Sequence, residues 1–573
     1  MRPVDDFDVI VVGAGHNGLV AACYLALAGR KVCVLERLDE VGGAAVSTYA
    51  FEGMDAKLSR YSYLVSLLPQ RIIDELGLDI RLRRRRYSSY TPLPGTDLGL
   101  LIDTADADAT RESFAAIGAE RDALAFADLS DDLARLAAAF WPTLTEPLPT
   151  REEARRMLGD DDLWNAFVER PIGETIEARF GSDVVRGVVA TDALIGTFAS
   201  VHDPGLTQNI CFLYHVIGGG TGDWDVPVGG MGAVTGELQR AAREAGVEFR
   251  TGCEVVAVTP DGVVSYRDRP SGGAGSAVGG GGTGVHGERN GSRGSNDDVH
   301  RVTATRVLAN VAPAVLDRLL AAGEDRQGAS GAGPVPPAPT ATPAPAHARA
   351  QAPVPMPEGS QVKVNLLLSR LPRLRDAAVA PEAAFGGTFH INELHSQLEH
   401  AVGEAEAGRI PNPLPAEIYC HSLADPSILS PELQEQGVHT LTVFGLHTPH
   451  RLGATAADLQ RAVLDSLDSV LAEPIEGLLM TDAHGRPCIE TKTTADLEST
   501  LRMPGGHIFH GPLSWPFVEN DASLASPAER WGVATAHPRI LVCGSGSRRG
   551  GAVSGLGGHS AAMAVLEDDL DLG

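Results

Sequence analysis

An α/β fold built in two parts is predicted by three features of the chain. A β-branched run, Asp8-Val9-Ile10-Val11-Val12, leads through a glycine-rich turn into an Ala/Leu-rich segment, Leu19 to Ala28. A strand-like run ending in glycines, followed by an apolar helical segment, recurs between Arg539 and Ala562. Between these ends, helix-patterned sequence from about Asp103 to Asp203 and alternating segments after Gln361 form a separate block. Strands alternating with helices build parallel sheets, whereas short alternating strands in series build antiparallel ones.

The first run is too short and too branched for a helix and reads as a strand. Gly13-Ala14-Gly15-His16-Asn17-Gly18 then fits G-x-G-x-x-G. Gly13 permits the turn, Gly15 lets the backbone approach a pyrophosphate, and Gly18 allows close packing of helix on strand. With Ala14 and Asn17 between them, the turn aims the first helical N–H groups and the positive dipole end at negative charge. Gly29 stops the helix, and Lys31-Val32-Cys33-Val34-Leu35 forms the next strand. Glu36 ends it about 20 residues past the turn, where an acid accepts hydrogen bonds from an adenosine ribose. Arg37 follows, and soon afterwards Gly42-Gly43-Ala44 lets the chain pass close to the same dinucleotide.

This extended pattern, with Gly13–Leu19 reading G-A-G-H-N-G-L, resembles FAD enzymes of the glutathione-reductase-like structural class. It is most similar to the phytoene desaturase-related flavoproteins. The resemblance implies FAD as cofactor, held by a glutathione-reductase-like Rossmann domain. It also implies a second, mixed α+β substrate domain made of an antiparallel sheet and helices. The expected division assigns residues 1–95, 225–325 and 530–573 to a discontinuous FAD-binding domain. Residues 96–224 and 358–529 form the substrate domain, with a Gly/Ser-rich insert at 271–295 and a Pro/Ala-rich tether at 323–357.

A helix is expected over Gln70–Leu76, stopped by Gly77. Arginines at 81 and 83–86 read as a solvated face; the functional alternative is an anionic head group or local membrane docking. Phe198, Phe212 and Tyr214 read as ordinary core, with an apolar pocket as the alternative. Val226-Pro227-Val228-Gly229-Gly230-Met231-Gly232 precedes an amphipathic helix, Val234–Glu244, and two strands at 246–250 and 253–258. The resemblance gives this glycine turn the role of returning the chain to the FAD domain and matches Val255 to a backbone contact at the adenine. Val307-Leu308-Ala309-Asn310-Val311-Ala312-Pro313 resembles the strand that follows in these flavoproteins.

Gln361–Leu368, Glu417–His421 and Thr440–Phe444 are expected strands, and Leu459–Leu471 an expected helix. Phe389–Glu393 and Asp425-Pro426-Ser427 also resemble the family. At the C-terminal motif, Gly544, Ser545, Gly555 and Leu556 are matched to the second FAD contact, where a helix N-terminus supplies positive potential to an anionic ring. Where relatives carry H-P-G-G-G, this chain has Arg548-Arg549-Gly550-Gly551-Ala552, which is expected to place two cations beside the flavin. His507 and His510 flank glycine-rich turns and are the acid/base candidates, because histidine titrates near neutrality.

Composition narrows the partners. A net charge of −27 opposes binding to nucleic acid. Lysine occurs only at 31, 57, 363 and 492. The seven cysteines include no C-x-x-C pair and read as buried thiols. No run of 18 apolar residues is present, so no transmembrane segment is expected. The chain enters its first strand within a few residues, which leaves no room for a leader, and a cytoplasmic location is expected, with peripheral membrane contact left open.

Together these readings describe an FAD-dependent oxidoreductase. No second strand-borne G-x-G-x-x-G is present, so electrons are expected to leave to oxygen, a quinone or another diffusible acceptor. The resemblance implies a small apolar substrate that is desaturated or isomerised. The alternatives are an FAD-dependent amine oxidase, marked by an aromatic cage, and a non-catalytic FAD-binding scaffold.

Overall fold

The computed structural model describes residues 5–63, 65, 67–222, 224–269, 299–330 and 356–571. The elements that position the site begin with β1 (Asp5–Val12), α1 (His16–Leu27), β2 (Val32–Leu35), β3 (Tyr87–Pro92) and β4 (Gly99–Asp103). They continue with α2 (Asp183–Thr191), α3 (Met231–Glu244), β5 (Glu248–Arg250), β6 (Cys253–Val258), β7 (Val263–Asp268), β8 (Val299–Ala309) and α4 (Pro313–Ser330). The last group is β9 (Val362–Leu368), β10 (Thr388–Ile391), β11 (Ala416–Tyr419), β12 (His439–Gly445), β13 (Ile489–Lys492), β14 (Ile540–Val542) and α5 (Leu556–Asp571).

Among the described residues these strands make two seven-stranded sheets. In the first, β14, β8, β1, β2 and β5 lie parallel in that order, and the antiparallel pair β6–β7 hangs on the N-terminal half of β8. The strands of a parallel sheet are covered on both faces, and β1 shows the result. Val9 and Val11 pack with α1, α3 and α5, while Ile10 and Val12 pack against residues of β6, β7, β8 and α4. Helix α1 is buried nearly all round, from His16 to Leu25.

The second sheet runs β13-β9-β12-β11-β10-β3-β4 and is antiparallel except where β10 meets β3. Strand β9 is buried at every position. A helical layer containing Phe140, Trp164, Phe167, Phe212 and Tyr214 has its own core, so Phe212 and Tyr214 are core residues.

Two expectations change. The boundary expected at residue 95 falls inside the β3–β4 hairpin, because Tyr90 is buried in the second sheet with its ring 5.3 Å from Phe389. Residues 323–330, expected to open the Pro/Ala-rich tether, continue α4, which ends before the first proline at Pro334. The rest of that tether, and the 271–295 insert, lie outside the described residues. The arginine run is largely the solvated face expected, with 81, 83, 84 and 86 exposed and Arg85 half-buried. Arg85 donates to Trp224 O at 3.2 Å and Thr388 Oγ1 at 3.1 Å, and Arg86 pairs with Asp103 at 2.8 Å.

Helices α1 and α5 approach closely at Gly558, where an added Cβ would lie 1.9 Å from the Asn17 carbonyl oxygen. Forced overpacking costs about 1–3 kcal/mol, occasionally more. Gly558→Ala is therefore expected to lower the thermal midpoint clearly. Gly236→Ala, in α3 with nothing within 4 Å of an added Cβ, is expected to leave it unchanged or raise it slightly. Differential scanning calorimetry of the two variants checks the contrast.

Candidate active site

The glycine turn is held by the end of β8. Asn310 Nδ2 donates to Gly13 O at 2.9 Å. Gly13 has φ +98°, and a Cβ there would meet Asn310 O at 2.8 Å; one on Gly18 would meet Gly13 O at 2.4 Å. Gly15 bridges to Gly42, Gly42 N donates to Ala14 O at 2.8 Å, and a Cβ on Gly43 would sit 3.1 Å from Gly15 Cα. The N-terminus of α1 has no side-chain cap, so its first N–H groups are left for an anion. Glu36 accepts from Ala14 N through Oε2 and from Leu38 N through Oε1, both at 2.8 Å. Burial raises its carboxyl pKa, and these N–H bonds oppose the rise.

A cavity of about 920 Å³ begins at this turn and ends on the second sheet. Of the residues expected at the cofactor, Gly13, Gly15, Glu36, Arg37, Gly43, Ala44, Val255 and Ser545 line it. Others support the lining from behind. Ala14 fixes Glu36, Gly18 and Gly42 set the turn, and Asn17 Nδ2 donates to Gly550 O at 3.2 Å, tying the two glycine motifs together. Gly544 abuts Asn310, Gly555 abuts Val20, and Leu556 is buried in the helical core.

Arg548 and Arg549 do not line the cavity, which corrects the expectation of two cations beside the flavin. Arg549 is 2% exposed, and its guanidinium donates to the carbonyls of Leu144, Glu146 and Pro516. Arg548 donates to Phe517 O at 2.9 Å. Buried cations need such acceptors, and the loop carbonyls supply them.

The two histidines separate. His510 lines the cavity at φ 63° with Nδ1 unpartnered, whereas His507 lies outside the lining and its Nδ1 accepts from Phe509 N at 3.2 Å. Burial lowers both to about 4, so both imidazoles are neutral at pH 7.

Sequence reasoning passed over the far wall. Registers across the second sheet place Lys492, Lys363, Phe444, Glu417 and His390 directly opposite one another on consecutive strands. Opposed residues share a face, and the first four line the cavity. Lys363 is 4% exposed; its Nζ donates to Ser59 O at 2.7 Å and Ser62 O at 3.1 Å. Burial lowers it to about 7, opposed by Glu490. Glu417 is raised to about 8 by burial and then by the neighbouring Glu393. The signal was a charged residue inside an apolar strand, V-K-V-N-L-L-L and A-E-I-Y.

Comparison with known proteins agrees with this geometry. Residues 11–69 match the NAD(P)-binding Rossmann-like domain family. The uncharacterized protein Rv0897c of Mycobacterium tuberculosis is 53% identical, over 98% of this chain and 97% of the relative. Pyridine nucleotide-disulfide oxidoreductase domain-containing protein 2 of Mus musculus is 28% identical, over 98% of this chain and 94% of the relative. Glycine max 15-cis-phytoene desaturase is 30% identical over 99 residues, 16% of each chain. Among solved structures, a putrescine oxidase variant with redesigned cofactor binding aligns over 100% of both chains with a TM-score of 0.54 at 16% identity.

The Rossmann turn, its oriented acid and the adjoining cavity define a dinucleotide-binding protein, and the relatives point to an oxidoreductase with a flavin cofactor. The chain belongs to one family with Rv0897c, and its similarity to pyridine nucleotide-disulfide oxidoreductase domain-containing protein 2 over the full length and to phytoene desaturase over 99 residues marks that family as one of flavin-type oxidoreductases. All seven of its cysteines are buried and none forms a disulfide.

Lysine is rare enough to make Lys363 observable. With 13C-lysine labelling, one of four side-chain resonances is expected to titrate with a midpoint near 7 and to vanish in Lys363→Met. The unfolded chain holds this proton up to about 10.4, so it binds more protons than the folded one between those values. Stability contributed at this site is therefore expected to rise with pH from about 7 toward 10 and to be flat in the variant. Four midpoints all above 10 would contradict the burial of this amine.

Proposed function

We propose that this protein is an FAD-dependent oxidoreductase of glutathione-reductase-like architecture that desaturates or isomerises a small apolar substrate. Its electrons pass to oxygen, a quinone or another diffusible acceptor. The observation that carries this reading is one cavity lined at one end by Gly13, Gly15, Glu36 and Val255 and at the other by the antiparallel sheet.

The residues present fit FAD. The contact between Gly15 and Gly43 leaves a bare backbone cradle, the uncapped α1 N-terminus offers donors to a pyrophosphate, and Glu36 is held rigid for a ribose. When bound, FAD supplies hydride chemistry at its N5. The chain orients the substrate and excludes water with Ile195, Phe444, Leu446, Ile508 and Phe509. His510 Nδ1, neutral and unpartnered, offers a hydrogen bond at the wall.

Amine oxidation is the second reading, favoured by one observation. Tyr63 and Tyr419 lie with ring centroids 4.6 Å apart, Tyr419 and Phe444 at 5.9 Å, and all three line the cavity. Aromatic faces attract a bound cation.

The purified protein is expected to show oxidised-flavin absorption that bleaches with anaerobic dithionite and returns in air. Glu36→Ala removes charge-assisted hydrogen bonds, worth about 1.5–3 kcal/mol, and is expected to weaken FAD binding tenfold or more in a fluorescence titration. Polyenes and lipids should then reduce the flavin. Peroxide formed with amines instead selects the second reading. Absence of flavin even after reconstitution overturns both.

A further inference from the structure

One buried cluster lies beside the cavity on the second sheet. Strands β10 and β11 set His390 directly opposite Glu417. Asn392, at φ 56°, then turns the chain so that Glu393 joins them. The Asn392 amide fixes that turn by donating to Leu414 O at 3.2 Å and Ser466 Oγ at 3.3 Å. Helix α2 closes the other side, and only glycine fits at 187, where a Cβ would lie 1.8 Å from Glu393 O. One donor atom from each of His390, Glu393 and Glu417 lies within 4.8 Å of the others, and the three residues are 4%, 1% and 1% exposed.

Each carboxylate is oriented through one oxygen and left bare at the other. Glu393 Oε2 accepts from Thr191 Oγ1 at 2.6 Å and meets His390 Nδ1 at 2.7 Å. Glu417 Oε2 accepts from the Tyr419 hydroxyl at 2.7 Å. Glu393 Oε1 and Glu417 Oε1 are buried without a hydrogen-bond partner. Asp192 adds a third carboxyl group, on which His390 and the Arg85 guanidinium act.

Each bare oxygen is a buried acceptor with no donor facing it, and an unmade buried hydrogen bond costs about 1–3 kcal/mol. A dication satisfies both oxygens and an imidazole nitrogen at once.

We propose that His390, Glu393 and Glu417 bind one divalent transition-metal ion in the cavity wall. One nitrogen and two oxygen donors suit zinc, manganese(II) or ferrous iron. Donor distances of about 2.0–2.2 Å around such an ion place donors up to roughly 4 Å apart, so small side-chain rotations suffice. Thr191 and Tyr419 hold the ligands as outer hydrogen-bond partners do in metal sites. Because Glu417 lines the cavity, the ion would set a positive charge beside the substrate, able to polarise an oxygen- or nitrogen-bearing group.

The test is metal stoichiometry on the full-length protein, which reads out whether or not flavin is bound. After chelator treatment and desalting, Mn2+ is titrated and followed by EPR, and Zn2+ by calorimetry. About one equivalent is expected to bind, with 14N coupling from a single histidine in the manganese echo spectrum. Affinity should fall at least a hundredfold in Glu417→Gln and in His390→Gln, and persist in Glu177→Gln, which disables the separate cluster of Glu177, His202 and His395. If the first two variants do not fold, the histidine coupling together with binding that survives in Glu177→Gln still supports the site. No saturable binding by the wild type, binding undiminished in folded Glu417→Gln, or binding abolished by Glu177→Gln overturns it.

Discussion

The close fit between the first glycine turn and the end of β8 is the constraint on which the rest depends. Asn310 donates to Gly13 O while its own carbonyl fills the space that a side chain on Gly13 would need. The same side chain faces Gly18 and Gly544. Strands β1, β8 and β14 therefore reach one common level, and the turns that follow β1 and β14 converge on it. The dinucleotide end of the cavity is a by-product of this packing, since backbones this close leave a surface of N–H groups with no side chains over it.

Much of the first sheet was legible because its chemistry is local. The turn, Glu36 and the second glycine pair lie within about 30 residues, and each glycine there meets backbone or a fixed side chain. The role of Asn310 was visible only as a resemblance, because its partner is nearly 300 residues away. Arg548 and Arg549 show the opposite limit. Their place in the chain is beside a flavin motif, but the acceptors that decide their direction come from residues 144–146 and 515–517.

The far wall was hardest to read because it is assembled from single residues on separate strands. Lys363, Phe444, Glu417 and His390 have no common motif, and only the antiparallel register aligns them. The result is a wall that grades from amines through an aromatic ring to carboxyl groups. A substrate held against it would be sorted by polarity along its length, which an apolar tunnel alone cannot do. The tyrosines beside Glu417 narrow the same stretch.

The placement of α5 has a consequence for biosynthesis. Helix α1 finds its partner in α5, and Asn17 reaches Gly550, 533 residues further along the chain. Translation at ~5–20 residues per second separates the two by on the order of a minute. Throughout that interval the apolar face of α1 and the unfinished edge of the first sheet await residues not yet made. The turn end of the cavity is therefore assembled only once α5 has been made.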